Sequence, residues 1–235
     1  MISKSESGSV RSIWSGLDRQ TTIILAVAIA SLWIARFGQD LASPSWTRLT
    51  ELNWWAGTQF VAYLVIPLAV AAALGIRPQD LGWTWKGIAS HWKIYLGLFA
   101  VAVPFVIVAS STQQFQDQYP LYEVQRGQTK VWSELVRWWP FYLAQFVAIE
   151  SFFRGYLVLG LARRFGSSAI LISVVPYMMI HFVKPPAEAL ASVIGGIVLG
   201  ALALRTGSIL WGIALHVAIA ALMDIMALGH KGFIW

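Results

Sequence analysis

A chain that strings one apolar run after another, with only short polar stretches between them, has few folds open to it. Such runs occur at Thr21–Ala35, Trp54–Leu74, Ile94–Ala109, Trp138–Leu161, Ala169–Phe182, Ala189–Leu204 and Ile209–Leu228. A membrane-crossing helix needs about 20 predominantly apolar residues. In lipid, every backbone N–H and C=O must be paired internally, which leaves helices or a closed barrel. The runs lack the strict alternation of barrel strands. The fold expected is therefore all-α: a polytopic membrane helix bundle of about seven spans, within a range of six to eight. The 235 residues suit one membrane domain, 1–235.

Composition supports this reading. Hydrophobic residues make up 57% of the chain and charged residues 12%, against roughly 25% in soluble domains. The mean hydropathy is +0.64. The 13 tryptophans gather at expected span ends, as at Trp54, Trp55, Trp83, Trp85, Trp138 and Trp139. Cysteine is absent, which excludes thiol catalysis, disulfides and Cys-rich metal sites. The net charge of +6 is scattered through the loops. It fits membrane-flanking Lys and Arg rather than a nucleic-acid surface. Residues 1–20 read as a short cytoplasmic tail, followed by an uncleaved anchor. With the N-terminus inside, nine inner cationic residues face seven outer ones, a slight preference for that orientation. No internal repeat is visible. Residues 110–132 form the longest loop, in a position to lie over a site at the membrane surface.

Against this apolar background, four ionisable side chains in the C-terminal half stand out. An ionisable residue at membrane depth is expensive and marks a functional site by default. Glu150 and Arg154 are four residues apart and share a helix face. They read either as a self-neutralising ion pair or as part of a reactive group. His181 ends the fifth run, where a hydrogen-bonded structural histidine is the commoner case, and His216 lies in mid-span. Asp224 falls on the same helical arc as His216, but ~12 Å further along the axis, so it reads as a second-layer residue. Glu188 reads as a helix-start residue. His91 and His230 read as peripheral. A carboxylate can act as general base on water, and an imidazole can orient that water or move protons. Neither a Ser-His-Asp arrangement, a glycine-rich phosphate loop nor a His-Glu-x-x-His zinc motif is present. Zinc on two histidines and one carboxylate is compatible with the composition, but spacing does not test it, so no cofactor or metal is assigned.

Glu150-x-x-x-Arg154-Gly155, Tyr177-x-x-x-His181-Phe182 and His216 in the last span together resemble the CPBP family, the CAAX-protease and bacteriocin-processing (Abi-type) membrane endopeptidases. The segments Gly75–Gly82 and Arg205–Ile209 add to the likeness. It covers residues 75–228. The resemblance implies an intramembrane endopeptidase in which a glutamate and a histidine activate water, with Glu150, Arg154, His181 and His216 catalytic and Tyr177 and Asp224 supporting. It further implies a glutamic-type mechanism and a membrane-associated protein or peptide substrate within the lipid bilayer of a bacterial cell. It assigns no oligomeric state.

Three positions depart from the family pattern. Ile149 stands where the first of two adjacent glutamates is usual. Tyr177 replaces a phenylalanine. Ala220 replaces the asparagine one turn after the last histidine, a loss for which Asp224 offers a substitute. Two other readings follow from these residues: a non-catalytic relative serving as membrane scaffold or chaperone, and a small proton-coupled transporter.

Overall fold

The computed structural model describes residues 18–124 and 130–234. The expected N-terminal tail, with Lys4 and Arg11, and the Gly127 region lie outside the described residues. The described residues form helices joined by turns, with no strand among them. We label the helices α1 (Arg19–Phe37), α2 (Arg48–Ala73), α3 (Ile88–Ser110), α4 (Gln113–Gln118), α5 (Val131–Phe165), α6 (Ser168–Met179), α7 (Pro186–Thr206) and α8 (Leu210–His230). Six of them, α1, α2, α3, α5, α7 and α8, are long and apolar enough to cross a membrane. The fold is thus a polytopic helical bundle.

Local chemistry sets several boundaries. Asp18 caps α1 by accepting the Thr21 N–H at 2.9 Å. That bond, with a second from the Thr21 hydroxyl, holds its carboxyl below the usual range. Thr47 and Thr112 cap α2 and α4 in the same way. Between α7 and α8 the turn is tight, as the Arg205–Ser208 segment leads one to expect.

The expected fifth span is the main correction. Its helix, α6, covers only 12 residues, ~18 Å at 1.5 Å per residue, well short of a ~30 Å hydrocarbon core. Pro176 lies inside it, and the chain leaves the helix before His181. His181 therefore sits on a turn, not in a span. The second correction concerns helix geometry. Val61–Val65 and Ser151–Leu159 are wound as π-helix. In the first, Pro67 supplies the cause: it has no N–H and crowds the preceding turn, so the ladder shifts and Ile66 N–H bonds Val61 C=O. The second has no proline. Its geometry is held from outside: Trp83 Nε1 donates to Ser151 Oγ at 3.1 Å, and Ser173 Oγ on α6 donates to the Phe153 carbonyl at 2.8 Å.

The axis of the bundle is α5. Its apolar window is 67% buried, against 17% for α3, whose Val101, Phe105 and Val108 face outward as lipid-facing side chains do. Helices α2, α6, α7 and α8 pack around α5, while α3 pairs with α8 and α6 with α7. The largest apolar cluster joins Ile24, Tyr63, Leu81, Ile149, Phe152, Phe153, Tyr156 and Tyr177. Ile149 and Phe153 thus belong to packing surface.

The Gly75–Gly82 segment locks onto the π segment. Gly82 takes the left-handed conformation (φ 84°), and its carbonyl accepts the Ile209 N–H at 3.0 Å. A methyl on Gly155 would stand 2.7 Å from the Leu81 carbonyl oxygen, inside van der Waals contact. The glycine after Arg154 is therefore what lets this connection close against α5. Gly155→Ala is expected to lower stability by about 1–3 kcal/mol, the usual cost of overpacking. Thermal melting in detergent checks this; an unchanged midpoint would refute the contact.

Candidate active site

Glu150 is the last α-helical residue before the π segment, and it is fully buried. Its Oε1 lies 2.8 Å from His216 Nδ1 on α8 and 3.3 Å from Arg154 Nη1 one turn on. Because a carboxylate oxygen only accepts, Nδ1–H is the donor, which leaves the Nε2 lone pair of a neutral His216 ring uncommitted. The second carboxylate oxygen, Oε2, is buried without a hydrogen-bond partner among the described residues and lies against Gly212. Gly212 is in the first turn of α8, where the partial positive end of the helix favours an anion.

Arg154 is 2% exposed. Its guanidinium stacks over the Tyr177 ring, with Cζ 4.0 Å from the centroid, and none of its nitrogens has a hydrogen-bond partner among the described residues. Two things compensate this buried cation: Glu150 and the face of an aromatic ring. Tyr177 also meets Phe153 and His181 edge-on, with centroids 5.0 and 4.7 Å away. His181 Nδ1 donates to the Tyr177 carbonyl at 2.7 Å, so its Nε2 also keeps a lone pair in the neutral ring. Phe146 packs against the His216 ring at 4.7 Å. The structure therefore brings Glu150, Arg154, His216, Tyr177 and His181 into one continuous series of contacts.

Asp224 stands apart from that series. Its Oδ2 accepts Trp139 Nε1 at 3.0 Å, and it is buried beside Lys184 and Tyr142. Ala220 is buried among Trp138, Tyr142 and Leu135. The structure bonds Asp224 to α5, two turns from His216, and gives it no contact that would replace the missing asparagine.

Glu188 does begin α7, and it does more: it accepts the Tyr119 hydroxyl at 2.7 Å. Lys184 Nζ lies 4.7 Å above the same tyrosine ring. Burial, and then the Glu188 charge, push the Tyr119 phenol well above its usual range. The described part of the long loop packs against the C-terminal end of α8, with Phe115 and Tyr119 against Ala227, about 16 Å along the helix from His216. Nothing in the sequence singles out Tyr119, and Trp139 reads there as a span-end anchor. For Gly212 a signal existed, its place four residues before His216 on the same helix face. His91 and His230 bond Gly87 and Ser110 and take no part.

The donor set does not fit a zinc ion. One histidine nitrogen is spent on Glu150, Arg154 adds positive charge beside the carboxylate, and among the described residues no three His, Cys, Asp or Glu side chains group as ligands.

Removing one partner of a buried ion pair strands the other, at a cost of about 3–5 kcal/mol. Arg154→Leu is expected to destabilise by that order, and Tyr177→Phe, which keeps the ring beneath the cation, by less than about 1 kcal/mol. Denaturation in detergent checks both; equal losses would show that the Tyr177 hydroxyl, not its ring face, carries the contact.

Residues 131–222 match the family model described as Type II CAAX prenyl endopeptidase Rce1-like. No curated protein and no solved structure matches the chain. The matched segment begins with α5 and ends in α8, and so contains Glu150, Arg154, Tyr177, His181 and His216. The family is one of endopeptidases, and the helices are those of an integral membrane protein, so the kind of function indicated is membrane proteolysis. The match at residues 131–222 is consistent with the resemblance of the motifs to the CPBP family.

Proposed function

We propose that the protein is an intramembrane endopeptidase that hydrolyses a peptide bond of a membrane-associated protein, with Glu150 as general base. One observation carries this: the two oxygens of Glu150 are divided. Oε1 takes the His216 N–H and the Arg154 charge, while Oε2 is left free. A single acid can thereby serve both as partner to Arg154 and as base, although Ile149 occupies the place of the usual first glutamate.

The steps balance as follows. Water gives a proton to Glu150 Oε2 as its oxygen bonds the scissile carbonyl carbon. The C–N bond then breaks, and the proton passes to the leaving amine. The Nε2 lone pairs of His216 and His181 are available to relay it. Arg154 balances the charge of the Glu150 carboxylate from 3.3 Å away. Burial among aromatic side chains strengthens each of these electrostatic contacts. Tyr177 supports Arg154 through its ring face. Nothing in this scheme calls for a metal or a prenyl group. A bacterial cell membrane is the proposed setting.

The non-catalytic reading is favoured by one feature, Ile149 in an apolar cluster at the position of an expected acid. The two readings give opposite outcomes. As an enzyme, the wild type cleaves a membrane peptide, Glu150→Gln loses about 10²-fold or more in rate while staying folded, and Ile149→Glu does not help, because it buries a second like charge. As an inert relative, the wild type does not cleave and Ile149→Glu gains activity. Full cleavage by Glu150→Gln would remove this residue as the base.

A further inference from the structure

The alternating course of the helices sorts the charges of the chain into two ends. At the first end lie the starts of α1, α3 and α8, the ends of α2, α5 and α7, and the turns between them. Long-range contacts tie these pieces into one surface. The Gly82 carbonyl accepts the Ile209 N–H at 3.0 Å, Ser208 Oγ donates to the Thr84 carbonyl at 2.9 Å, and Trp211 Nε1 donates to the Ile88 carbonyl at 2.7 Å. Arg163 and Arg164, which close α5, lie within electrostatic reach of Asp80 and Asp18. Among the described residues this end carries seven cations, Arg19, Arg77, Lys86, Lys93, Arg163, Arg164 and Arg205, against two acids, Asp18 and Asp80. All seven are exposed, and among the described residues only Arg77 holds an ion pair, with Asp80. The opposite end is balanced. Its six cations, Arg36, Arg48, Lys130, Arg137, Lys184 and Lys231, meet six acids, Asp40, Glu51, Asp117, Glu123, Glu134 and Glu188. Arg36 pairs there with Asp40 and Arg48 with Glu51. Cations alone barely separate the two ends. The placement of the acids leaves five net positive charges on one and none on the other.

Tryptophans set the depth of this charge. Trp85 is 76% exposed and Trp92 is 42% exposed, and Lys93 Nζ lies 5.9 Å from the Trp92 ring centroid. Exposed indoles of a membrane protein sit at the level of the lipid headgroups. The cations next to them, Lys86 and Lys93, therefore stand among headgroups rather than in bulk water. We propose that this end of the bundle docks on the headgroups of anionic phospholipid. The leaflet richer in such lipid then lies against the α2–α3, α5–α6 and α7–α8 connections, and the balanced end lies in the other leaflet. Each Lys or Arg near an anionic surface adds to the attraction, which fades within about one Debye length. The Gly75–Gly82 connection belongs to this surface through Arg77, so the headgroups also brace the segment that closes against Gly155.

The test uses the full chain in nanodiscs of phosphatidylcholine, with and without phosphatidylglycerol, and reads thermal melting. A lipid that binds the folded protein alone raises its melting point. Phosphatidylglycerol is expected to raise the wild-type midpoint by about 4 °C or more, and high salt to remove the rise. The variant Lys86→Gln/Arg163→Gln/Arg164→Gln/Arg205→Gln is expected to fold in phosphatidylcholine and to lose most of the rise. The variant Arg36→Gln/Arg48→Gln/Lys130→Gln/Arg137→Gln removes the same charge from the other end and is expected to keep it. Should either variant fail to assemble, Arg163→Gln/Arg164→Gln and Arg36→Gln/Arg48→Gln make the same comparison. No rise in the wild type, or an equal loss from the two ends, would overturn the docking surface. So would an equal rise in pure phosphatidylcholine on adding soluble glycerol phosphate or an acidic peptide, which would assign these cations to a partner in solution.

Discussion

A carboxylate and a guanidinium, both buried in a bundle that lies in lipid, must find each other or lose several kcal/mol apiece. The pair Glu150–Arg154 meets that demand within one helix, and much of the surrounding architecture follows. To bury both groups, α5 must be central, as its 67% burial shows. To compensate Arg154 beyond one carboxylate, α6 presents Tyr177, and the helix ends soon after so that His181 can fold back onto that tyrosine's carbonyl. To compensate Glu150, α8 brings its first turn and His216. Helices α6 and α8 thus each contribute a contact to the buried pair, Tyr177 to Arg154 and His216 to Glu150.

The π segment that begins beside Glu150 ties this electrostatic arrangement to the fold. Regular α-helix would carry its own backbone bonds and could stand alone. Here Trp83, Ser173 and the Leu81 carbonyl all press on residues 151–155. The Gly75–Gly82 connection thereby acts on the site from the membrane surface, through Gly155. Such bulges are frequent at functional sites, since they re-aim side chains that a regular helix would spread evenly.

The fold class was legible because hydropathy is a sum over long runs and tolerates local error. The pairing of Glu150 with Arg154 was legible from their spacing. Three things were not. The length of α6 was overestimated because Ile180 and Phe182 are apolar without being helical; Pro176 and the Pro185-Pro186 pair were the available hints. The π-helix at 151–159 was invisible because its cause lies in distant residues, whereas Pro67 announces the other one locally. The fate of Asp224 depended on Trp139, a residue that reads from sequence as an interfacial anchor. Sequence periodicity places a residue on a face; it does not say which partner that face meets.

The account stands on Glu150 Oε1 accepting the Nδ1–H of His216, which sets aside Oε2 for chemistry. Solid-state NMR of protein labelled with ¹⁵N-histidine in lipid bilayers, with His216 assigned by its loss in His216→Gln, reads this contact from the ring nitrogens. Recorded where the ring is neutral, the account predicts a protonated Nδ1 and a bare Nε2, with that preference lost in Glu150→Leu. A His216 ring that carries its proton on Nε2 would contradict it.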